Sequence, residues 1–87
     1  MSGPDESLLE FPTDLPIKVF GRNDSDFRAA VVSIIEKHYG GAYTLAEVES
    51  KKAAYVSLTV TVRAESRAQI DAVYRELVAH ELILMAL

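Results

Sequence analysis

The segment Ala54 to Ala64 constrains this chain more than any other. Val56, Leu58, Val60 and Val62 alternate there with Tyr55, Ser57, Thr59, Thr61 and Arg63. Side chains two apart share one face of a strand, so this spacing presents an aliphatic face and a polar, threonine-rich one. On a helix the same four aliphatics would scatter around the axis. Burying them contributes roughly 1.5–3 kcal/mol each before conformational entropy is counted. That total is comparable with the net stability of a small domain, about 5–15 kcal/mol. The segment is therefore expected to be a central strand. At 87 residues the chain is long enough for one domain and too short for two, so the remaining elements must pack around it.

Leu15 to Gly21 also alternates, with Ile17 and Val19 on one face and Lys18 and Phe20 on the other, and reads as a first strand closed by Gly21. Asn23, Asp24 and Ser25 are candidate helix caps. From Asp26 to Tyr39, the residues Phe27, Ala30, Val31, Ile34 and Ile35 recur at helical spacing, and Gly40-Gly41 stops the helix. Tyr43 to Glu49 reads as a short strand whose Glu47 and Glu49 suit an exposed edge, followed by a polar turn from Ser50 to Ala53. Ser66 and Gln69 make a capping box for a second helix, with Ile70, Val73, Tyr74, Leu77 and Val78 as its buried stripe. Leu82 to Leu87 is apolar on both faces and is expected to be the last strand.

The order β-α-β-β-α-β predicts an α+β, ferredoxin-like two-layer sandwich: a four-stranded antiparallel sheet with two helices on one face. The first and third strands would lie in the middle. Residues 1–14 are expected to form an acidic, partly mobile N-terminal arm, and residues 15–87 the single domain. Within the arm, Leu8, Leu9 and Phe11 form an apolar cluster suited to docking. The sheet face away from the helices would carry Lys18, Phe20, Tyr55, Ser57, Thr59 and Thr61, with further apolar groups from the last strand. A face of this kind calls for a cover, by the arm, a second subunit or a partner protein.

The net charge is −4, and Asp5, Glu6, Glu10 and Asp14 all precede the first Lys or Arg. The rest of the chain is neutral overall, which argues against general attraction to phosphate backbones or anionic lipid. No basic and apolar leader or membrane-length apolar run is present, and there are no cysteines. A cytoplasmic protein is expected.

Chemistry-bearing patterns are sparse. Without cysteine there is no thiol nucleophile or Cys-ligated metal. No serine sits in a Gly-x-Ser-x-Gly elbow, and Gly40-Gly41 lies at a helix end rather than at the phosphate-binding start of one. His38 and His80 each fall at a helix C-terminus, where an imidazole interacts favourably with the helix dipole. Lys51-Lys52 reads as a solvated turn. These patterns predict neither enzymatic activity nor a metal or other cofactor. The RNA recognition motif shares this strand order and stacks bases on central-strand aromatics. Here Ala53 and Lys18 occupy two of those positions, leaving Tyr55 and Phe20, so nucleic acid is disfavoured and weak single-stranded RNA binding is the third-ranked function.

The stretches Leu8-Leu9-Glu10-Phe11-Pro12, Lys18-Val19-Phe20-Gly21, Ser50-Lys51 through Tyr55 and Ser57, and Gln69-Ile70, Val73-Tyr74 and Leu77 resemble the YbeD-like family of small bacterial proteins. The resemblance covers nearly the whole chain. It implies a ferredoxin-like fold similar to the amino-acid-binding ACT regulatory domains, and a link to lipoate metabolism; it supplies no catalytic residues. The leading expectation is a small regulatory or adaptor module acting through protein contact, by self-association or with a partner, on the open sheet face. The alternative, by analogy with ACT domains, is a small-metabolite sensor using a ligand loop of Gly21, Arg22 and Asn23.

Overall fold

The computed structural model describes residues 10–49 and 54–87, without the side chain of Glu49. Its elements run β1 (Thr13–Arg22), α1 (Ser25–Tyr39), β2 (Tyr43–Glu49), β3 (Tyr55–Ala64), α2 (Arg67–Ala79) and β4 (Ile83–Ala86). The strands form one antiparallel sheet in the order β2-β3-β1-β4. This is the expected βαββαβ arrangement, with the first and third strands central. No helix among the described residues is long and apolar enough to cross a membrane.

The β1–β3 ladder runs without interruption from Thr13 opposite Ala64 to Arg22 opposite Tyr55. It brings Ile17 and Val19 beside Val56, Leu58, Val60 and Val62, all at most 2% exposed. Phe27, Val31, Ile34, Ile35 and Tyr39 of α1 and Ile70, Val73 and Leu77 of α2 close over that face. The cap residues work as their chemistry dictates. Asp24 Oδ1 accepts from the Phe27 amide at 2.8 Å, satisfying one of the unpaired donors of the first turn. Ser66 Oγ does the same for Gln69 at 3.1 Å, while Gln69 Oε1 accepts from the Glu65 amide, one residue ahead of the cap. Gly40 takes φ of 60° at the end of α1, a geometry that residues with a Cβ rarely adopt.

Four expectations are corrected. β1 begins at Thr13, so Thr13 and Asp14 belong to the sheet rather than to the arm, because Ala64 and Arg63 extend the ladder to meet them. β1 also continues past Gly21 to Arg22, so Gly21 lies within the strand rather than closing it. Val78 is 62% exposed, since the buried arc of α2 is filled by Ile70, Val73 and Leu77 and Val78 lies outside it. β4 spans only Ile83–Ala86, and a register shift opposite Phe20 and Gly21 makes Leu84 its extra residue. The expected turn from Ser50 to Ala53, with Lys51-Lys52, lies outside the described residues.

Gly21 has a packing role. A Cβ built on it would overlap the Phe27 ring, whereas one on Gly41 would meet nothing within 4 Å. The glycine lets the first core residue of α1 lie directly on the central strand. Gly21→Ala is therefore expected to lower stability by the cost of overpacking, about 1–3 kcal/mol, read as a lower urea midpoint with unchanged slope. Gly41→Ala should be close to neutral. Equal midpoints for the two variants would refute the close-approach argument.

Candidate functional site

Alternation along the central strands leaves one sheet face without a covering layer. In the ladder registers, residues opposite one another share a face. One row across the sheet is Val48, Ser57, Phe20 and Met85. The next is Ala46, Thr59 and Lys18, continued by Leu87, which exchanges backbone hydrogen bonds with Lys18. Arg22 and Tyr55 pair at one end, with the guanidinium 5.9 Å from the ring centroid. At the other end Arg63 Nη1 lies 3.1 Å from Asp14 Oδ1. Val48, Tyr55, Met85 and Leu87 are each about half exposed or more. The structure thus brings Lys18, Phe20, Tyr55, Ser57, Thr59 and Thr61 onto one face, as the alternation predicts. It adds Val48, Met85 and Leu87, which the hairpin and β4 registers place there.

A shallow groove of about 310 Å³ opens beside this face, lined by Asp14, Ala42, Tyr43, Thr44, Thr61 and Arg63. Its one ion pair is internal, and the Tyr43 hydroxyl donates to Glu36 Oε2 at 2.7 Å.

The residues of the expected ligand loop are not brought together. Gly21 and Arg22 are consecutive strand residues on opposite sheet faces, the first against Phe27 and the second over Tyr55. Asn23 Oδ1 accepts from Arg28 Nη2 at 2.6 Å, and its amide donates to the Ala54 carbonyl. Of the docking cluster, Phe11 is 37% exposed, and Leu8 and Leu9 lie outside the described residues.

Both histidines have structural partners. His38 Nε2 lies 2.6 Å from Glu76 Oε2, which Lys37 Nζ also approaches at 3.0 Å, tying the end of α1 to α2. His80 Nδ1 accepts from the Leu82 amide at 3.1 Å and shapes the turn into β4. Among the described residues no group of three or more His, Asp or Glu side chains is placed to hold a metal ion.

Sequence patterns gave no sign of Arg28. Its Nε and Nη2 donate to both Glu47 carboxylate oxygens at 2.8 and 2.6 Å, and its Nη1 donates to the Asp24 carbonyl. This planar fork joins α1, the loop before it and β2. Glu47 is thus a tie to the helix layer, since its strand register turns it to the side of Leu58.

A family model described as "Protein of unknown function (DUF493)" matches residues 6–87. A UPF0250 protein of Nitrosomonas europaea is 41% identical over 86 residues, spanning 95% of this chain and 98% of its own length. One of Paraburkholderia phymatum is 39% identical over 90 residues and spans the whole of both chains. The solution structure of protein HP0495 from H. pylori is similar with a TM-score of 0.77 at 14% identity, covering 100% of this chain and 97% of that one. That likeness concerns the fold.

The two carboxylate ties make acid a selective probe of the frame. Hydrogen bonding from Arg28 holds the Glu47 carboxyl below the ordinary glutamate range, and Lys37 followed by His38 does so for Glu76. A carboxyl depressed in the folded state stabilises it fully above the unfolded value, about 4.3, and loses that contribution as pH falls through the folded value. The urea midpoint should therefore hold from neutral pH down to the glutamate range and fall below it. Glu47→Gln with Glu76→Gln should start lower and fall less steeply. Parallel curves for the two proteins would show that the ties contribute nothing.

Proposed function

The chain belongs to the DUF493 family, the YbeD-like proteins, and for it we propose a small regulatory or adaptor role in the cytoplasm, exercised through protein contact on the open sheet face. The observation that carries this reading is the apolar group of Val48, Phe20, Met85, Tyr55 and Leu87 on a face that no element of the described residues covers. Water gains nothing from contact with these side chains, and their removal from it is favourable at roughly 25 cal/mol per Å².

Strand geometry sets the scale of such a contact. Ten residues each in β1 and β3, seven in β2 and four in β4, at about 3.3 Å per residue and about 4.8 Å between strands, give a face of roughly 500 Å². Covering it buries about 1,000 Å² in total, just below the range of about 1,200–2,000 Å² of stable interfaces. A reversible contact fits this size.

A protein partner also fits the chemistry better than RNA. The two rings sit diagonally, Phe20 opposite Ser57 and Tyr55 opposite Arg22, and the adjoining positions are the aliphatic Val48, Met85 and Leu87. Bases stack on aromatic faces, worth about 1–3 kcal/mol each, and aliphatics offer no such platform.

Tyr55→Ser with Met85→Ser tests the reading, since both side chains are about half exposed and surface changes usually stay within about 0.5 kcal/mol of neutral. Partner capture from a cell extract of the host is expected to fall at least tenfold for the double variant, with its melting temperature nearly unchanged. Undiminished capture would overturn the assignment of the face. Salt-sensitive binding of single-stranded RNA, lost in the same variant, would overturn the partner class.

A further inference from the structure

We propose that the outer edge of β2 pairs antiparallel with the same edge of a second copy of this chain, joining the two sheets into one of eight strands. This goes beyond the contact reading above, which uses the face of the sheet and stands or falls separately. The first argument is the contrast between the two edges of the sheet. A strand edge presents unpaired backbone donors and acceptors, and monomers blunt it with short strands, bulges, prolines or charge. One edge is blunted in this way. β4 has four residues and a register shift, and its last pairing is that of Leu87 with Lys18. The next backbone position of β1 facing that side is Pro16, which has no N–H. The β2 edge has seven residues in unbroken register and no proline, lysine or arginine. Of its two glutamates, Glu47 is neutralised by the Arg28 fork and Glu49 is the last residue. Thr44 to Val48 are all exposed, including the apolar Leu45 and Val48 at 41% and 64%.

The second argument is self-complementarity. The Arg63 amide donates to the Ala42 carbonyl across the hairpin, which fixes the phase of β2. Its even-numbered residues turn their amides and carbonyls to β3, and its odd-numbered ones turn theirs outward. Leu45 and Glu47 therefore each hold an outward N–H and C=O, which meet no backbone partner among the described residues. Two copies related by a two-fold axis through Ala46 overlap along the whole strand. Leu45 then stands opposite Glu47 of the second copy and exchanges both backbone hydrogen bonds with it. Thr44 stands opposite Val48 of the second copy, the two Ala46 residues meet at the axis, and no like charges are opposed. An axis through Glu47 would oppose two carboxylates, and one through Leu45 would leave Val48 and Glu49 beyond the end of the other strand. With the axis perpendicular to the sheet, both helix layers lie on one side and the two open faces become a single one of roughly 1,000 Å². Covering that surface buries about 2,000 Å² in total, within the range of stable interfaces that one chain falls short of.

Sedimentation equilibrium of the full-length protein is expected to show a reversible dimer as concentration rises. Ala46→Lys and Ala46→Glu each change an exposed side chain and set like charges face to face at the axis. Each variant is expected to sediment as a monomer, and an equimolar mixture of the two should restore the dimer, which misfolded chains would not do. The absence of cysteine from the chain gives a second reading, of the register. Under mild oxidation Ala46→Cys is expected to cross-link with itself. Thr44→Cys and Val48→Cys should cross-link with each other and at least tenfold less with themselves. An unmodified chain that stays monomeric up to about 1 mM, the weak end of measured affinities, would overturn the proposal. So would a dimer that survives both charge variants, or one dispersed by Tyr55→Ser with Met85→Ser, since the open face would then be the contact. Partner capture separates the two readings. If no dimer forms while capture still depends on Tyr55 and Met85, this inference fails and the contact role stands.

Discussion

The ten-residue ladder between β1 and β3 is the interaction on which the rest of this structure depends. Its two strands are distant in sequence, so pairing them costs loop-closure entropy before any side chain is rewarded. The reward is the aliphatic face: Ile17 and Val19 from one strand and Val56 to Val62 from the other, fully or almost fully buried beneath the two helices. Each helix buries its own stripe only because that face exists, and a helix of this length is marginal in isolation. Gly21 belongs to the same device. By omitting a side chain at the end of the aliphatic row, it admits Phe27 to within contact of the strand and sets where α1 sits.

Alternation has an unavoidable second product. A strand that places four aliphatics on one side must place its remaining residues on the other, and the helices can cover only one side. In β3 those residues are polar or amphipathic, Ser57, Thr59, Thr61, Tyr55 and Arg63, which tolerate water. β4 does not follow that rule. Met85 and Leu87 project onto the same side at the sheet's edge, where solvent would favour polar groups. With Phe20 of β1 and Val48 of β2 in the same row, these side chains distinguish the face from an ordinary exposed sheet surface.

The fold was legible in the sequence because its signals are local and strongly periodic. The β3 alternation, the α1 stripe and the Asp24 and Ser66 caps each follow from residues within a few positions of one another, and the structure contains them all. Errors fell where the outcome depends on another element. Thr13 and Asp14 join β1 because of Arg63 and Ala64, some fifty residues away. Val78 shows helical spacing and stays exposed because it lies outside the arc of α2 that Ile70, Val73 and Leu77 bury. Most of the candidate face was legible by the same logic, since Lys18, Phe20, Tyr55, Ser57, Thr59 and Thr61 share a face by alternation alone. Val48 and Met85 required the ladder registers, and Arg28 required the tertiary approach of α1 to β2. No pattern in the chain marks an arginine as the partner of a glutamate nineteen residues on.

The position of that arginine bears on the face it does not touch. Three carboxylates are held at the helix layer and the β2 edge, Glu47 by Arg28, Glu76 by Lys37 and His38, and Glu36 by the Tyr43 hydroxyl, while Asp14 on the open face is bridged to Arg63. The register of β2 enforces the first of these, turning Glu47 to the helix side and Val48 to the open side. Had the hairpin slipped by one residue, Glu47 would stand on the open face and Val48 on the helix side. The observed register instead leaves Lys18 and Arg22 as a charge surplus next to uncovered apolar side chains. The alignment of one hairpin thus decides both the charge and the hydropathy of the open face.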